Sequence, residues 1–120
     1  MTSDPDYARN AFGQDWADFA QHLDFVVPLN YGWAGLDEGL ATRQADVLKG
    51  RSLFLPAIGG MPADHENLTP DDWITMVNLA RSAGAKGVAI YAAGCLRPEI
   101  ASLLAAGPFQ APAAVPWGAE

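Results

Sequence analysis

The chain has 120 residues, 50% of them hydrophobic, and its 14 acidic and 7 basic side chains give a formal net charge of -7. This length is enough for one small domain, and the acidic charge disfavours contact with the phosphate backbone of nucleic acids. The sequence has no apolar run of the roughly 20 residues that cross a bilayer, and its start lacks the basic and apolar regions of a signal peptide. As written, the chain is therefore expected to be cytoplasmic, without nucleic acid or membrane partners.

The residue types that most often bind metals are sparse and isolated. Cys95 is the single cysteine, which excludes an internal disulfide and any multi-cysteine metal site. The two histidines, His22 and His65, do not have the spacing of metal ligands. The sequence therefore predicts no metal and no cofactor.

A first amphipathic segment follows residues 1–10, which are expected to form a flexible N-terminus. Its apolar residues recur at the 3.6-residue period of a helix and form one stripe, made of Phe12, Trp16, Phe19, Ala20 and Leu23. This pattern predicts one helix that lies on a sheet.

Three successive segments then have the same order of strand, loop and helix, which is typical of βα units in an α/β fold. The predicted strands cover residues 25–29, 53–58 and 87–91, and the helices that follow them are predicted at about 36–48, 70–83 and 98–106. The first strand is continuously apolar rather than alternating, which favours a parallel sheet buried on both faces. Pro28 and Pro56 fall inside two of the strands, and because proline lacks a backbone donor, both are expected near strand ends.

The second of these helices has the strongest local signals. Thr69 is a natural N-cap, Pro70 fits the first helical position, and Asp71 and Asp72 place negative charge at the positive end of the helix dipole. Its buried stripe is predicted to comprise Trp73, Met76, Val77 and Ala80, and the last helix is predicted to bury Ile100, Leu103 and Leu104.

The domain is expected to span residues 11–107. Residues 108–120 contain three prolines, which forbid a long helix, and they are expected to form an extended proline-rich tail. Phe109, Val115 and Trp117 are the side chains expected to anchor this tail to the domain.

Short motifs follow one another along most of the chain. They are Gln14-Asp15-Trp16, then Asp24-Phe25 leading to Val27-Pro28-Leu29-Asn30-Tyr31, then Leu55-Pro56-Ala57-Ile58-Gly59, then the run from Ala80 to Val88, and Gly107-Pro108-Phe109 through Pro116-Trp117. In this order they resemble strands six to eight and the closing segment of the glycosyl hydrolase-like 10 domain family, whose members are (β/α)8 barrels. The resemblance covers roughly residues 14–117. Two features depart from the family pattern: Leu29 stands where methionine is frequent, and Ala92-Ala93-Gly94 replaces a more polar strand ending.

The resemblance implies a partial TIM barrel of about three parallel βα units, whereas the residues alone leave a small open sheet equally possible. It also implies hydrolysis of glycosidic bonds in a polysaccharide such as cell-wall glycan, with a carbohydrate as ligand. A complete barrel needs about 250 residues, so these 120 residues are expected to be a C-terminal fragment that is inactive alone. The full-length protein that the resemblance implies could be exported.

In a barrel, functional residues lie at the carboxyl ends of the strands. By this rule the candidates for substrate binding are Asn30, Tyr31, Trp33 and Tyr91, whose amide, phenol and indole groups suit sugar hydroxyls and ring faces. The structural alternative is an ordered loop in which Asn30 bonds the backbone, while the aromatic side chains cover the core or fill the barrel.

A second group, Asp64, His65 and Glu66, follows the second strand and is the candidate for acid or base chemistry. Glycoside hydrolysis needs two carboxyls roughly 5 to 10 Å apart, and neighbouring side chains in a loop tend to diverge. A solvated polar loop is therefore the favoured interpretation, and the catalytic residues stay unassigned. Asp15 and Asp24 are expected at the opposite face, in structural roles.

Two further functions remain open from the residues alone. Three units with open parallel edges can pair with a second copy or another chain, because unpaired strand edges invite association. The Gly59-Gly60 turn can present backbone N–H groups to a phosphate, although a tight turn is its structural alternative. Cys95 is expected to be a small buried side chain rather than a reactive thiol.

Overall fold

The computed structural model describes residues 4–31, 36–60 and 68–114, except for the side chains of Tyr31 and Cys95. The described residues form helices α1 (Pro5–Phe12), α2 (Trp16–Phe19), α3 (Glu38–Leu48), α4 (Pro70–Ser82) and α5 (Pro98–Ala106), with a short 3-10 helix at Ala93–Cys95. The strands are β1 (Phe25–Val26), β2 (Leu29–Tyr31), β3 (Leu53–Phe54), β4 (Ala57–Gly59) and β5 (Ala89–Tyr91). The chain is therefore an α/β protein with short strands, as the order of its segments predicts.

All the strand pairs are parallel. β1 pairs with β3, β2 pairs with β4, and β4 pairs with β5. Backbone hydrogen bonds continue the pairing across the gap between the two small sheets, since Leu55 N donates to Val26 O at 3.1 Å and Ala57 N donates to Pro28 O at 2.8 Å. The three predicted strands thus lie side by side in chain order, each followed by a helix.

The first two predicted strands are each interrupted where their proline lies, so the expectation of two continuous strands is wrong, while both prolines do lie next to strand ends, as expected. The register pairs Val26 with Phe54 and Leu29 with Ala57, so Pro28 lies beside Pro56. The carbonyl oxygens of both prolines still accept backbone hydrogen bonds, but neither nitrogen can donate one. The first predicted strand is therefore divided into β1 and β2, and the second into β3 and β4.

The N-terminal part also differs from its prediction. Residues 5–10, expected to be flexible, belong to α1, whose N-cap Asp4 accepts a hydrogen bond from Tyr7 N at 2.9 Å. The single predicted helix is wrong because Gly13, at a φ of 64°, ends α1 in the left-handed conformation. Asp15 then caps the new helix α2 with its side chain. Of the predicted stripe, Trp16 and Ala20 are buried, while Phe12, Phe19 and Leu23 are exposed.

The later helices follow their predictions closely. Helix α4 has the predicted N-cap and first-turn proline, and all four residues of its predicted stripe are buried. Helix α5 buries Ile100 and Leu104, but Leu103 is exposed, since it lies outside the cluster that joins α5 to α4. In the tail, Arg81 lies over the Phe109 ring at 5.5 Å and donates to the carbonyl of Pro108. Val115 and Trp117 lie outside the described residues.

The described helices pack on one face of the strands. One core cluster joins α3, α4 and α5 to β4, and it comprises Leu36, Leu40, Ala41, Ile58, Trp73, Met76, Val77, Ala80, Ile100 and Leu104. A second cluster joins the N-terminal helices and the end of α3 to β1 and β3, and it comprises Ala8, Trp16, Ala20, Val26, Leu48 and Phe54. Because side chains alternate along a strand, Phe25 and Leu29 point to the opposite face, where they are 45% and 38% exposed.

Candidate functional site

Two of the candidate residues lie at the same edge of the sheet. β2, β4 and β5 end in register, and Tyr31 pairs with Gly59, which pairs in turn with Tyr91. The backbones of the two tyrosines therefore flank Gly59 at the carboxyl ends of three adjacent parallel strands. We call the row Tyr31–Gly59–Tyr91 the carboxyl edge.

Gly59 is needed at the centre of this edge for steric reasons. It is buried and has a φ of 114°, a conformation that is strained for other residues. A Cβ at this position would lie against the Tyr91 carbonyl oxygen and 2.8 Å from Cη2 of Trp73. The glycine thus allows β5 and the Trp73 ring to approach β4 closely. Gly60 is also buried.

Tyr91 is the described candidate whose aromatic ring reaches the surface. It ends β5, and its side chain is 40% exposed. A tyrosine in this state offers both an apolar ring face and a phenol that donates and accepts hydrogen bonds. These are the properties that the sequence interpretation required for contact with a sugar.

Asn30 has a different environment. It is 1% exposed, and its amide exchanges two hydrogen bonds with Gln44 of α3. Asn30 Nδ2 donates to Gln44 Oε1 at 3.0 Å, and Gln44 Nε2 donates to Asn30 Oδ1 at 2.7 Å. Asn30 Nδ2 also approaches Pro28 O at 3.5 Å. The amide therefore fastens β2 to α3, which favours the structural interpretation of Asn30.

Sequence reasoning missed Gln44, although a signal was present. Leu40, Gln44 and Leu48 are spaced by four residues along one face of α3, and Leu36, just before the helix, continues the same spacing. All four are buried. A polar residue in an otherwise apolar buried stripe requires a hydrogen-bonding partner, and the amide of Asn30 provides it.

The other candidates lie outside the described residues, namely Trp33, Asp64, His65 and Glu66, together with the side chain of Tyr31. Asp15 has a structural role, and Asp24 lies at the amino end of β1. Asp15 caps α2, and the carbonyl of Asp24 accepts a hydrogen bond from Leu53 N at 2.9 Å just before β1.

Helix α4 begins close to the carboxyl edge and is held there by a capping box. Thr69 N and Thr69 Oγ1 both donate to Asp72 Oδ2 at 2.7 Å, while Asp72 N donates to Thr69 Oγ1 at 3.3 Å. The side-chain and backbone hydrogen bonds from Thr69 lower the pKa of Asp72 below its ordinary value of 3.8. The box therefore fixes the start of the helix that carries Trp73 beneath Gly59.

Comparisons of the chain with protein-family models, with curated proteins and with solved structures found no match. Within the described residues, none of the helices has the length and apolar character to span a membrane. The same part of the chain contains no cluster of three or more histidine, cysteine, aspartate or glutamate side chains suited to a metal ion. The parallel fold and the carboxyl edge are therefore the observations that bear on function.

Proposed function

We propose that the chain forms part of a (β/α)8 barrel of the glycoside hydrolase type, and that its carboxyl edge contacts carbohydrate. The observation that supports this proposal most directly is the register that brings Tyr31 and Tyr91 to either side of Gly59. In barrels of this kind, substrates bind at the carboxyl ends of the strands.

The one-sided packing of helices favours a barrel segment over an open α/β sheet. Open doubly wound sheets carry helices on both faces, whereas barrels carry them outside only and pack the inner faces of their strands together. Here the cluster around Ile58 joins three helices to one face. The opposite face presents Phe25, Val27 and Leu29. It also has a cavity of about 280 Å³ that is lined by Phe25, Val27, Leu55 and residues 86–89.

Binding without catalysis is the activity we propose for this chain alone. Glycoside hydrolysis needs two carboxyls that face the scissile bond from different positions. Three βα units supply only part of the rim of an eight-unit barrel, so we assign the catalytic carboxylates to other strands. The role proposed for Tyr91 is to stack on a sugar ring and to hydrogen-bond its hydroxyls.

Titration with soluble oligomers of β-1,4-linked N-acetylglucosamine, followed by calorimetry, tests this function. We expect saturable binding that Tyr91→Ala weakens about tenfold, the loss of one good aromatic contact. Tyr7→Ala is the matched control, since Tyr7 lies on α1 and is 58% exposed. Absence of binding by the wild type, or an equal loss in both variants, contradicts carbohydrate contact at this edge. Release of reducing ends by the isolated chain contradicts the assignment of catalysis to other strands.

A second candidate function is self-association through the helix-free face of the sheet. The exposure of Leu29 and Phe25 on that face favours it, because exposed apolar patches mark interaction surfaces. Light scattering over a range of protein concentrations tests it. We expect a dimer that Leu29→Lys converts to a monomer, and a strictly monomeric wild-type protein contradicts this candidate.

A further inference from the structure

A second cavity, of about 920 Å³, lies at the end of the strands opposite the carboxyl edge. Three loops that lead into successive strands form it. They contribute His22 before β1, Lys49, Arg51 and Ser52 before β3, and Lys86 before β5. The size is in the range of small-molecule sites, and the position separates this cavity from the proposed carbohydrate contact.

The cavity collects basic side chains in an acidic protein. Three of the 7 basic residues of a chain with net charge -7 line it. Lys49, Arg51 and Lys86 form no ion pair with the described residues. The other four have partners elsewhere: Arg9 with Asp6, Arg43 with Asp4, Arg97 with Glu99, and Arg81 with the Phe109 ring. Asp24 and Asp46 also line the cavity, so its lining residues include three cations and two carboxylates.

The ends of α3 and α4 explain part of this distribution. Their terminal carbonyls carry partial negative charge and attract cations, and Arg51 Nη1 donates to Val47 O at 2.8 Å. That bond uses one of the five donors of a guanidinium. It does not account for Lys86, which reaches the same cavity from a different loop.

The wall between the cations is partly apolar. Leu53, which is partly buried, lines it with apolar surface, and the buried side chains of Leu48 and Phe54 lie behind it. We propose that this cavity binds a small phosphate monoester with an apolar body. The phosphate contacts Lys49, Arg51 and Lys86, and the body lies on Leu53.

Phenyl phosphate is the probe for this site, with phenol and inorganic phosphate as its two halves. Amide chemical shifts of the folded chain report where each compound binds. We expect saturable shifts in residues 49–52 and at Lys86, with phenyl phosphate binding about tenfold more tightly than either half, since charge and apolar contact both contribute. Shifts that do not saturate, or that fall elsewhere in the chain, overturn the proposal. Equal affinity for phenol also overturns it, since the cations would then play no part.

Two charge-matched double variants distinguish binding at this cavity from general electrostatic attraction of the anion to the protein. Lys49→Met with Lys86→Met removes two cavity cations and keeps apolar stems, whereas Arg9→Met with Arg97→Met removes two cations that are ion-paired elsewhere. We expect the first variant to weaken phenyl phosphate binding about tenfold and the second to change it less than about twofold. Equal losses in both overturn the proposal. Tyr91→Ala is expected to leave phenyl phosphate binding unchanged. The result of this experiment therefore does not depend on the carbohydrate proposal.

Discussion

On the helix side of the sheet Val26, Phe54 and Ile58 are buried. On the opposite side Phe25 and Leu29 remain exposed, whereas Leu55 and Ala57 of the neighbouring segment are buried. The sequence of these strands is apolar on both sides, which by itself favours burial of both faces. Among the described residues, only one face receives a layer of helices. A continuously apolar strand therefore indicates that both of its faces are suited to packing. In the proposed barrel, the face without helices packs against the inner faces of other strands.

The largest expected difference between the faces concerns two aliphatic residues on neighbouring strands. Ile58→Ala is expected to lower the free energy of unfolding by about 2 to 5 kcal/mol, because it leaves a cavity in the main cluster. Leu29→Ala is expected to cost about 1 kcal/mol or less, because Leu29 already contacts solvent. Urea denaturation measures both values. Equal losses would show that the face opposite the helices is as tightly packed as the helix side, which contradicts the difference between the two faces.

Gly59→Ala tests how closely β4 packs against β5 and Trp73 at the carboxyl edge. The added methyl group meets the Tyr91 carbonyl and the Trp73 ring, and the φ of 114° adds backbone strain. We expect a loss of about 2 to 3 kcal/mol in stability. Gly84→Ala is a suitable control, since its φ of 89° is also positive but nothing lies within 4 Å of the new Cβ. A smaller loss at Gly59 than at Gly84 would contradict close packing as the reason for the glycine.

A third test addresses the polar contact on the helix side. Gln44→Leu leaves the buried amide of Asn30 without its main partner, and we expect a loss of about 1 to 3 kcal/mol. Replacing both residues with leucine removes the unsatisfied group, so the double variant is expected to be more stable than Gln44→Leu. Losses that simply add in the double variant would show that the two amides act independently.

The features that could be predicted from the sequence are those whose signals are local. Helix α4 combines an N-cap, a first-turn proline and an apolar stripe within residues 69–80, and each of these acts through neighbouring residues. The interruption of the strands could not be predicted from local signals, because it depends on the sheet register. The pairing places Pro28 beside Pro56, and the ladder is interrupted there because neither residue has an N–H donor. The contact between Asn30 and Gln44 joins residues 14 positions apart. The sequence shows Gln44 as a polar residue in an apolar stripe, but it does not show that Asn30 is its partner.

The break between α1 and α2 shows the same limit from another side. The apolar stripe continues through Gly13, so periodicity alone predicts one helix. The left-handed conformation of Gly13 and the cap at Asp15 instead turn the chain, which allows Trp16 to join the cluster around Val26. At the candidate site, the common edge of Tyr31 and Tyr91 follows from parallel βα units, whereas the burial of Asn30 depends on the packing of α3.

The smallest expected effect is at the start of α4, the helix that covers the centre of the sheet. Thr69→Ala removes the hydroxyl of the capping box and is expected to cost about 1 kcal/mol at neutral pH. The lowered pKa of Asp72 means that its contribution to stability is present above the ordinary carboxyl range near pH 4 and is lost as the pH falls through the folded-state value. Since Asp72 is exposed, this acid-dependent part is small, and we expect Thr69→Ala to flatten it. Denaturation of both proteins between about pH 2 and 7 measures the difference. Asp71→Asn removes one charge from the same helical turn without breaking the box. An equal loss of stability in that variant would assign the effect to helix-dipole charge rather than to the cap that places Trp73 beneath Gly59.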